Sequence, residues 1–226
     1  MQKMATLFAV LFVFTAIDAR ADLVNGSFET TVPPVPVGNF SLFAPGSTGV
    51  TGWTVVGPGM DIGVVNTTFA QSGISFVAQN GSNWVDLTGL NANSVEGVAQ
   101  AAATTIGHSY TLTFFVGNVD SPATGFGVTS TVNLSANSTP LGSFTNSCTA
   151  CTTTQAWQMF TSTFVATSAT TNLTFLNADP ANDNDNGLDN VSLVDNGPAT
   201  VPEPSSIILL GVALLAVAFC ARSFSS

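Results

Sequence analysis

Ser109-Tyr110-Thr111-Leu112-Thr113-Phe114-Phe115-Val116-Gly117 is the stretch that decides the fold. Tyr110, Leu112, Phe114 and Val116 fall on one side of an extended chain and Thr111 and Thr113 on the other. That period of two belongs to a strand with one buried face. Outward from it, similar runs cover residues 127–135, 159–166, 171–176 and 188–194. Shorter ones cover residues 23–28, 52–56, 61–65, 74–78, 84–87 and 95–101. Gly, Asn and Pro punctuate these runs and no long helical period appears between them, which predicts an all-β protein of about ten strands. Two packed antiparallel sheets, a β-sandwich, accommodate that number in one domain. The Pro-rich stretch 31–36 and the segment 177–186 read as loops.

The two ends do not belong to the sandwich. Lys3, an apolar segment from Leu7 to Ile17 and Ala19-Arg20-Ala21 have the form of a secretory signal peptide over 1–21, cut before Asp22. A retained amino-terminal anchor is the alternative. At the other end Pro202-Glu203-Pro204 precedes the uncharged run Ile207 to Ala221 and then Arg222. This predicts a transmembrane helix over about 206–221 with Arg222 on the cytoplasmic side. The ectodomain then spans 22–195, a linker 196–200 and the tail 201–226. In its triplet, apolar helix and basic end the tail resembles the PEP-CTERM sorting segment. The resemblance implies an exosortase as processing partner, transit through the inner membrane, and delivery to the cell surface or extracellular matrix. A permanent single-pass anchor is the alternative.

The chain has three basic residues, Lys3, Arg20 and Arg222, and all lie outside the ectodomain. Of thirteen Asp and Glu, only Asp18 and Glu203 lie outside residues 22–200, so eleven carboxylates remain there without a permanent positive partner. Nucleic-acid partners, phosphate clamps and attraction to anionic lipid are thereby excluded for this body. Its carboxylates must be solvated, hydrogen-bonded or bound to metal, and Ca2+ is the natural counter-ion.

Six local motifs stand in a characteristic order: Asn25-Gly26-Ser27-Phe28-Glu29, Gly52-Trp53, Trp84-Val85-Asp86-Leu87, Val98-Ala99-Gln100, Gly107-His108-Ser109-Tyr110 and Gly187-Leu188-Asp189-Asn190-Val191-Ser192-Leu193. In that order they resemble the galactose-binding-like domains, especially the choice-of-anchor C type of bacterial surface protein. The resemblance implies a jelly-roll sandwich whose first and last strands are neighbours, which would bring Glu29 and Asp189 together. It also implies a structural Ca2+ held by Glu29 and Asp189, with Asn25 as a further candidate. The alternative is that both carboxylates bond backbone amides at strand ends. The loop Asp179 to Gly187 has a superficial EF-hand look. With Gly187 as the turn glycine, however, Leu193 stands where a bidentate Glu is required, so a solvated loop is expected there, with weak Ca2+ binding as the alternative.

Sugar recognition on a sandwich uses an aromatic platform and amide or carboxylate side chains. Trp53, Trp84 and Trp157 are the candidate platforms, with Asp86, Asn83, Gln100 and Asn118 as polar partners; core packing is the alternative for each Trp. The single histidine, His108, is expected in an exposed turn, and no nucleophile motif accompanies it, so a non-enzyme is expected. Cys148 and Cys151 are expected to form a short-loop disulfide, and without a second pair or further His they offer no zinc site. These readings give an exported surface or matrix protein that contacts polysaccharide without catalysis. A structural display protein that binds no specific sugar is the alternative.

Overall fold

A computed structural model describes residues 23–90, 95–179 and 183–199. The expected signal peptide and the expected apolar helix of the tail lie outside these residues. Among the described residues no helix is long and apolar enough to cross a membrane. Thirteen strands follow one another: β1 (Phe40–Phe43), β2 (Thr54–Val56), β3 (Ile62–Asn66), β4 (Ala70–Gln71), β5 (Ile74–Ser75), β6 (Asn83–Asp86), β7 (Gly97–Ala103), β8 (His108–Asn118), β9 (Ser130–Ala136), β10 (Thr139–Asn146), β11 (Ala156–Val165), β12 (Thr170–Asn177) and β13 (Gly187–Pro198). A 3-10 turn at Pro122–Thr124 is the one helical element among the described residues. The strands form a six-stranded sheet in the order β1-β3-β6-β13-β8-β11 and a five-stranded sheet in the order β10-β9-β12-β7-β2, with β4-β5 as a separate hairpin. Every pairing between these strands is antiparallel.

The alternation in β8 does what it predicts. Tyr110, Leu112, Phe114 and Val116 are buried and face the other sheet, while Thr111, Thr113 and Phe115 are half-exposed. Facing them, β7, β9 and β12 contribute Val98, Val132, Leu134, Leu173 and Phe175 to one common core. Phe114 meets Phe175 and Phe144 edge-on at ring distances of 5.2 and 5.1 Å. Such tilted aromatic contacts add to the burial of apolar area that drives the two sheets together.

Three expectations are corrected. Residues 23–28 form a turn, not a strand, because Asn25 and Phe28 take left-handed backbone angles (φ 56° and 57°). This turn still lies against the last strand, where Val191 N donates to Gly26 O at 2.8 Å. The linker at 196–200 is largely structured: β13 continues through Pro198, and Ala199 N donates to Gly107 O. Three strands also emerged where none was expected, β1, the short β4 and the edge strand β10, whose pairing shifts register between Pro140 and Gly142.

Candidate functional site

The six-stranded sheet has a second apolar face, turned away from the common core. Adjacent β1, β3 and β6 place Phe40, Val65 and Trp84 in one row and Leu42, Gly63 and Asp86 in the next. Gly63 gives this floor its depth, since a Cβ there would meet only Asp86 and Val65 at ordinary contact distance. The β4-β5 hairpin contributes Phe69, Gln71 and Phe76, and the 3-10 turn region contributes Thr124 and Phe126. With Asn184 they enclose a cavity of about 280 Å³. Phe76 organises the wall, with ring centroids 5.0 Å from Phe126, 5.7 Å from Phe69 and 6.3 Å from Trp84.

Asp86 is the acidic group of this cavity and is only 9% exposed. Its Oδ1 accepts from Thr88 N at 3.0 Å and Thr88 Oγ1 at 2.6 Å. Burial outweighs these bonds and pushes its pKa up to about 7, so the carboxyl holds its proton close to neutrality. The cavity thus combines several aromatic surfaces with a carboxyl, two amides and a hydroxyl. That is the chemistry of a site that stacks on a ring and orients it by a few hydrogen bonds.

The side chains expected to form a sugar platform do not converge. Trp53 is 1% exposed and packs between Phe28 and Phe175, with Nε1 donating to Asn25 O at 3.0 Å. Trp84 lines the cavity but is 2% exposed, and its Nε1 donates to Phe76 O. Trp157 is half-buried against the Trp84 edge, with its Nε1 on Val77 O at 2.8 Å. Asn83 donates to Glu29 O, Gln100 clamps both the N and O of Val24, and Asn118 ties Val128 O and Cys148 O while accepting from Ser130 Oγ. Of the seven, only Trp84 and Asp86 share the cavity. Phe40, Gly63, Phe69, Phe76, Phe126 and Asn184 escaped sequence reasoning. The one local signal was the density of Phe and Gly in these segments.

Glu29 and Asp189 do meet, on either side of one turn. Glu29 Oε1 accepts from Ser82 N and Asn83 N, each at 2.9 Å. Asp189 Oδ2 accepts from Gln79 N and Asn80 N at 2.9 Å, and its Oδ1 from Asn190 N at 2.6 Å. A bulge in β13 after Asp189, with Asn190 at φ 49°, turns this carboxyl toward the turn. Burial raises the Asp189 pKa to about 7 against its backbone hydrogen bonds, and the Glu29 charge adds to the rise. The two carboxylates suit Ca2+ in kind, but backbone amides already engage them. The Asn25 amide is spent on Thr30 and Thr51, bracing the amino-terminal turn.

The expected disulfide is absent and both cysteines are thiols. Cys151 Sγ donates instead to Cys148 O at 3.0 Å, and burial lifts its pKa to about 11. His108 is less exposed than an open turn would leave it. Its Nδ1 lies 2.9 Å from Asp195 Oδ1, within hydrogen-bond distance, and Tyr110 OH donates to Asp195 Oδ2 at 2.9 Å. Burial would raise Asp195, but bonds from Gly197 N, Tyr110 and His108 prevail and hold it below the usual carboxylate range.

Comparison with solved structures shows the same fold in enzymes. A Stig cyclase, Fisc, from Fischerella sp. TAU, in complex with (3Z)-3-(1-methyl-2-pyrrolidinylidene)-3H-indole, is similar at TM-score 0.59 and 19% identity, over 81% of this chain and 100% of that one. A cyclase from Fischerella sp. TAU in complex with 4-(1H-indol-3-yl)butan-2-one gives 0.56 and 21%, over 80% and 100%. A structure described as "CBM4 structure and function" matches at 0.39 and 15%, over 77% and 100%. The likeness to the two cyclases, at 19 and 21% identity, shows the fold and not an activity. No curated protein matches the chain. Residues 200–223 match the PEP-CTERM protein-sorting motif, which marks the chain for export, membrane-anchored transit and exosortase processing. Residues 21–194 match the model described as "Protein of unknown function (DUF642)", so the chain belongs to the DUF642 family.

Proposed function

We propose that this DUF642 protein is a non-catalytic surface or extracellular-matrix module with a jelly-roll sandwich, and that its aromatic cavity takes one sugar ring at the end of an extracellular polysaccharide. The observation that supports this is the cavity itself: aromatic side chains from β1, β6 and the β4-β5 hairpin stand around Asp86, Gln71, Thr124 and Asn184. Apolar sugar faces stack on such rings, while the polar groups fix the hydroxyls. A half-open site of about 280 Å³ has room for one ring and not for a long segment of chain, which favours a terminal ring. A structural Ca2+ bridging Glu29 and Asp189 belongs to the same reading, since the two carboxylates face the same turn at residues 79–83. The test is binding to bacterial polysaccharides and their oligosaccharide ends, wild type against Gly63→Val, which fills the floor without disturbing the common core. Saturable binding lost in Gly63→Val supports the proposal; a folded protein that binds no member of the panel removes it.

A second reading follows from one observation. Asp86 keeps its proton close to pH 7 inside an aromatic-lined cavity, and such a group can act as a general acid on a bound unsaturated ring compound. Asp86→Asn separates the two. It retains ring binding in the first reading, whereas in the second it abolishes product formation while leaving ligand bound.

A further inference from the structure

The carboxylates expected to hold Ca2+ are met by backbone amides, whereas the loop expected to be solvated, with weak Ca2+ binding as the alternative, contains buried oxygens without a well-formed hydrogen bond. Asp183, Asp185 and Asn186 precede β13 and are only 3%, 1% and 0% exposed. Asp183 Oδ2 accepts a long bond from Val128 N at 3.3 Å, but its Oδ1 has no partner. Neither oxygen of Asp185 accepts a well-formed hydrogen bond, although the Val119 N–H faces this carboxyl. Asn186 donates through Nδ2 to Thr131 O and Asn177 Oδ1 while its Oδ1 accepts nothing. At the start of the same loop Asp179 gives Oδ1 to Thr131 N and leaves Oδ2 buried and unpartnered.

Buried polar oxygens are nearly always paired, and several unpaired in one loop require a common cause. Protonation could relieve carboxyls but does nothing for the Asn186 amide oxygen, which does not titrate. No Lys or Arg exists in this body to serve as counter-charge. The loop is also shaped around its acid. Gly127 sits at φ 59°, and a Cβ there would lie 1.8 Å from Asp183 Oδ2, so the facing segment closes on that carboxylate only because it carries no side chain. Asp86, Asp179 and Asp183 lie near enough for their charges to bear on Asp185, so several carboxyls gather here around one buried group.

We propose that residues 183–186, which lead into β13, form a Ca2+ site in which Asp183 and Asp185 supply the carboxylates and Asn186 Oδ1 an amide oxygen, with Asp179 lining it. Among the described residues no three carboxylates form a ready-made cage, so carbonyl oxygens and water complete the shell. Ca2+ accepts six to eight oxygens in irregular geometry, whereas Mg2+ demands a near-ideal octahedron and keeps its water. The ion fastens the crossing from the five-stranded to the six-stranded sheet. Asn184, between the two carboxylates, reaches the cavity wall.

The test uses the full-length protein in detergent, stripped with EDTA and titrated with Ca2+ alone. Ca2+ is expected to raise the unfolding temperature. Asp183→Asn/Asp185→Asn is expected to weaken Ca2+ binding at least tenfold and to remove that rise, with Asp189→Asn keeping this ion. Hydrogen exchange on the wild type locates the ion without relying on a variant. Ca2+ is expected to protect the amides of 127–131 and 183–186. No stabilisation at millimolar Ca2+, unchanged affinity in the folded double variant, or protection confined to 79–83 would each overturn the proposal.

Discussion

Replacing Asp86 by Asn is expected to leave stability nearly unchanged at pH 4 and to raise it at pH 8. In the unfolded chain an Asp loses its proton near pH 4, while in the folded cavity Asp86 keeps it to about 7. Below pH 4 both states are protonated and this group contributes no difference. Between pH 4 and 7 the folded state binds the extra proton, so the wild type loses stability as pH rises, and above 7 the loss is constant. The pKa is raised from 3.8 to about 7, and each tenfold displacement of the equilibrium is worth about 1.4 kcal/mol, which sets an upper bound of about 4 kcal/mol. Water entry and relaxation reduce this, so the expected gain at pH 8 is about 2 to 3 kcal/mol. Asn keeps an Oδ1 for the Thr88 amide and hydroxyl, so the local bonds survive. Urea unfolding of the 22–200 body at both pH values, with EDTA present so that no cation neutralises Asp86, gives the difference directly. An Asn variant that is equally affected at both pH values, or less stable than the wild type at pH 8, would refute the reasoning.

Tyr110→Phe removes the acceptor of Thr105 N and the donor to Asp195 in a residue only 1% exposed. The expected loss is about 2 kcal/mol in urea unfolding, and a change within about 0.5 kcal/mol would deny that network a role. Trp53→Ala opens a void between Phe28 and Phe175 and should cost about 3 to 5 kcal/mol, with Trp157→Ala costing less than half of that. Equal losses by denaturant unfolding would contradict the difference in burial. Thiol labelling of the unreduced, native protein should modify Cys148 first and buried Cys151 slowly, because Cys151 is held protonated. Labelling that requires prior reduction would show that the two pair after all.

Much of the sandwich is written locally. The alternation through Tyr110, Leu112, Phe114 and Val116 needs only the pleat of a strand to place four side chains in the core. β10 was illegible because Pro140 and Gly142 break the strand pattern, which an edge strand with a register shift tolerates. Residues 23–28 carry strand-like side chains, but left-handed angles at Asn25 and Phe28 curl them into a turn. The cavity was harder to see, for a physical reason. All five residues of β3 are buried, so its pattern cannot say which side of the sheet has a second layer. Phe69, Phe76 and Phe126 reach the site from a hairpin and a turn whose positions are set by tertiary packing. Asn83, Gln100 and Asn118 have the side chains of sugar ligands, yet each satisfies backbone groups, which sequence alone does not distinguish. Glu29 and Asp189 came together as the motif order implied, while the unmet oxygens at 183–186 depend on burial that only the folded chain defines.

The most direct test of the central claim is amide chemical-shift mapping of the isotope-labelled 22–200 body, titrated with the oligosaccharide ends of the extracellular polysaccharide. The account predicts saturable shifts at Gly63, Gln71, Thr124 and Asn184, around the cavity, with the five-stranded sheet unmoved. Shifts confined to that other sheet, or none at saturating ligand, would contradict it.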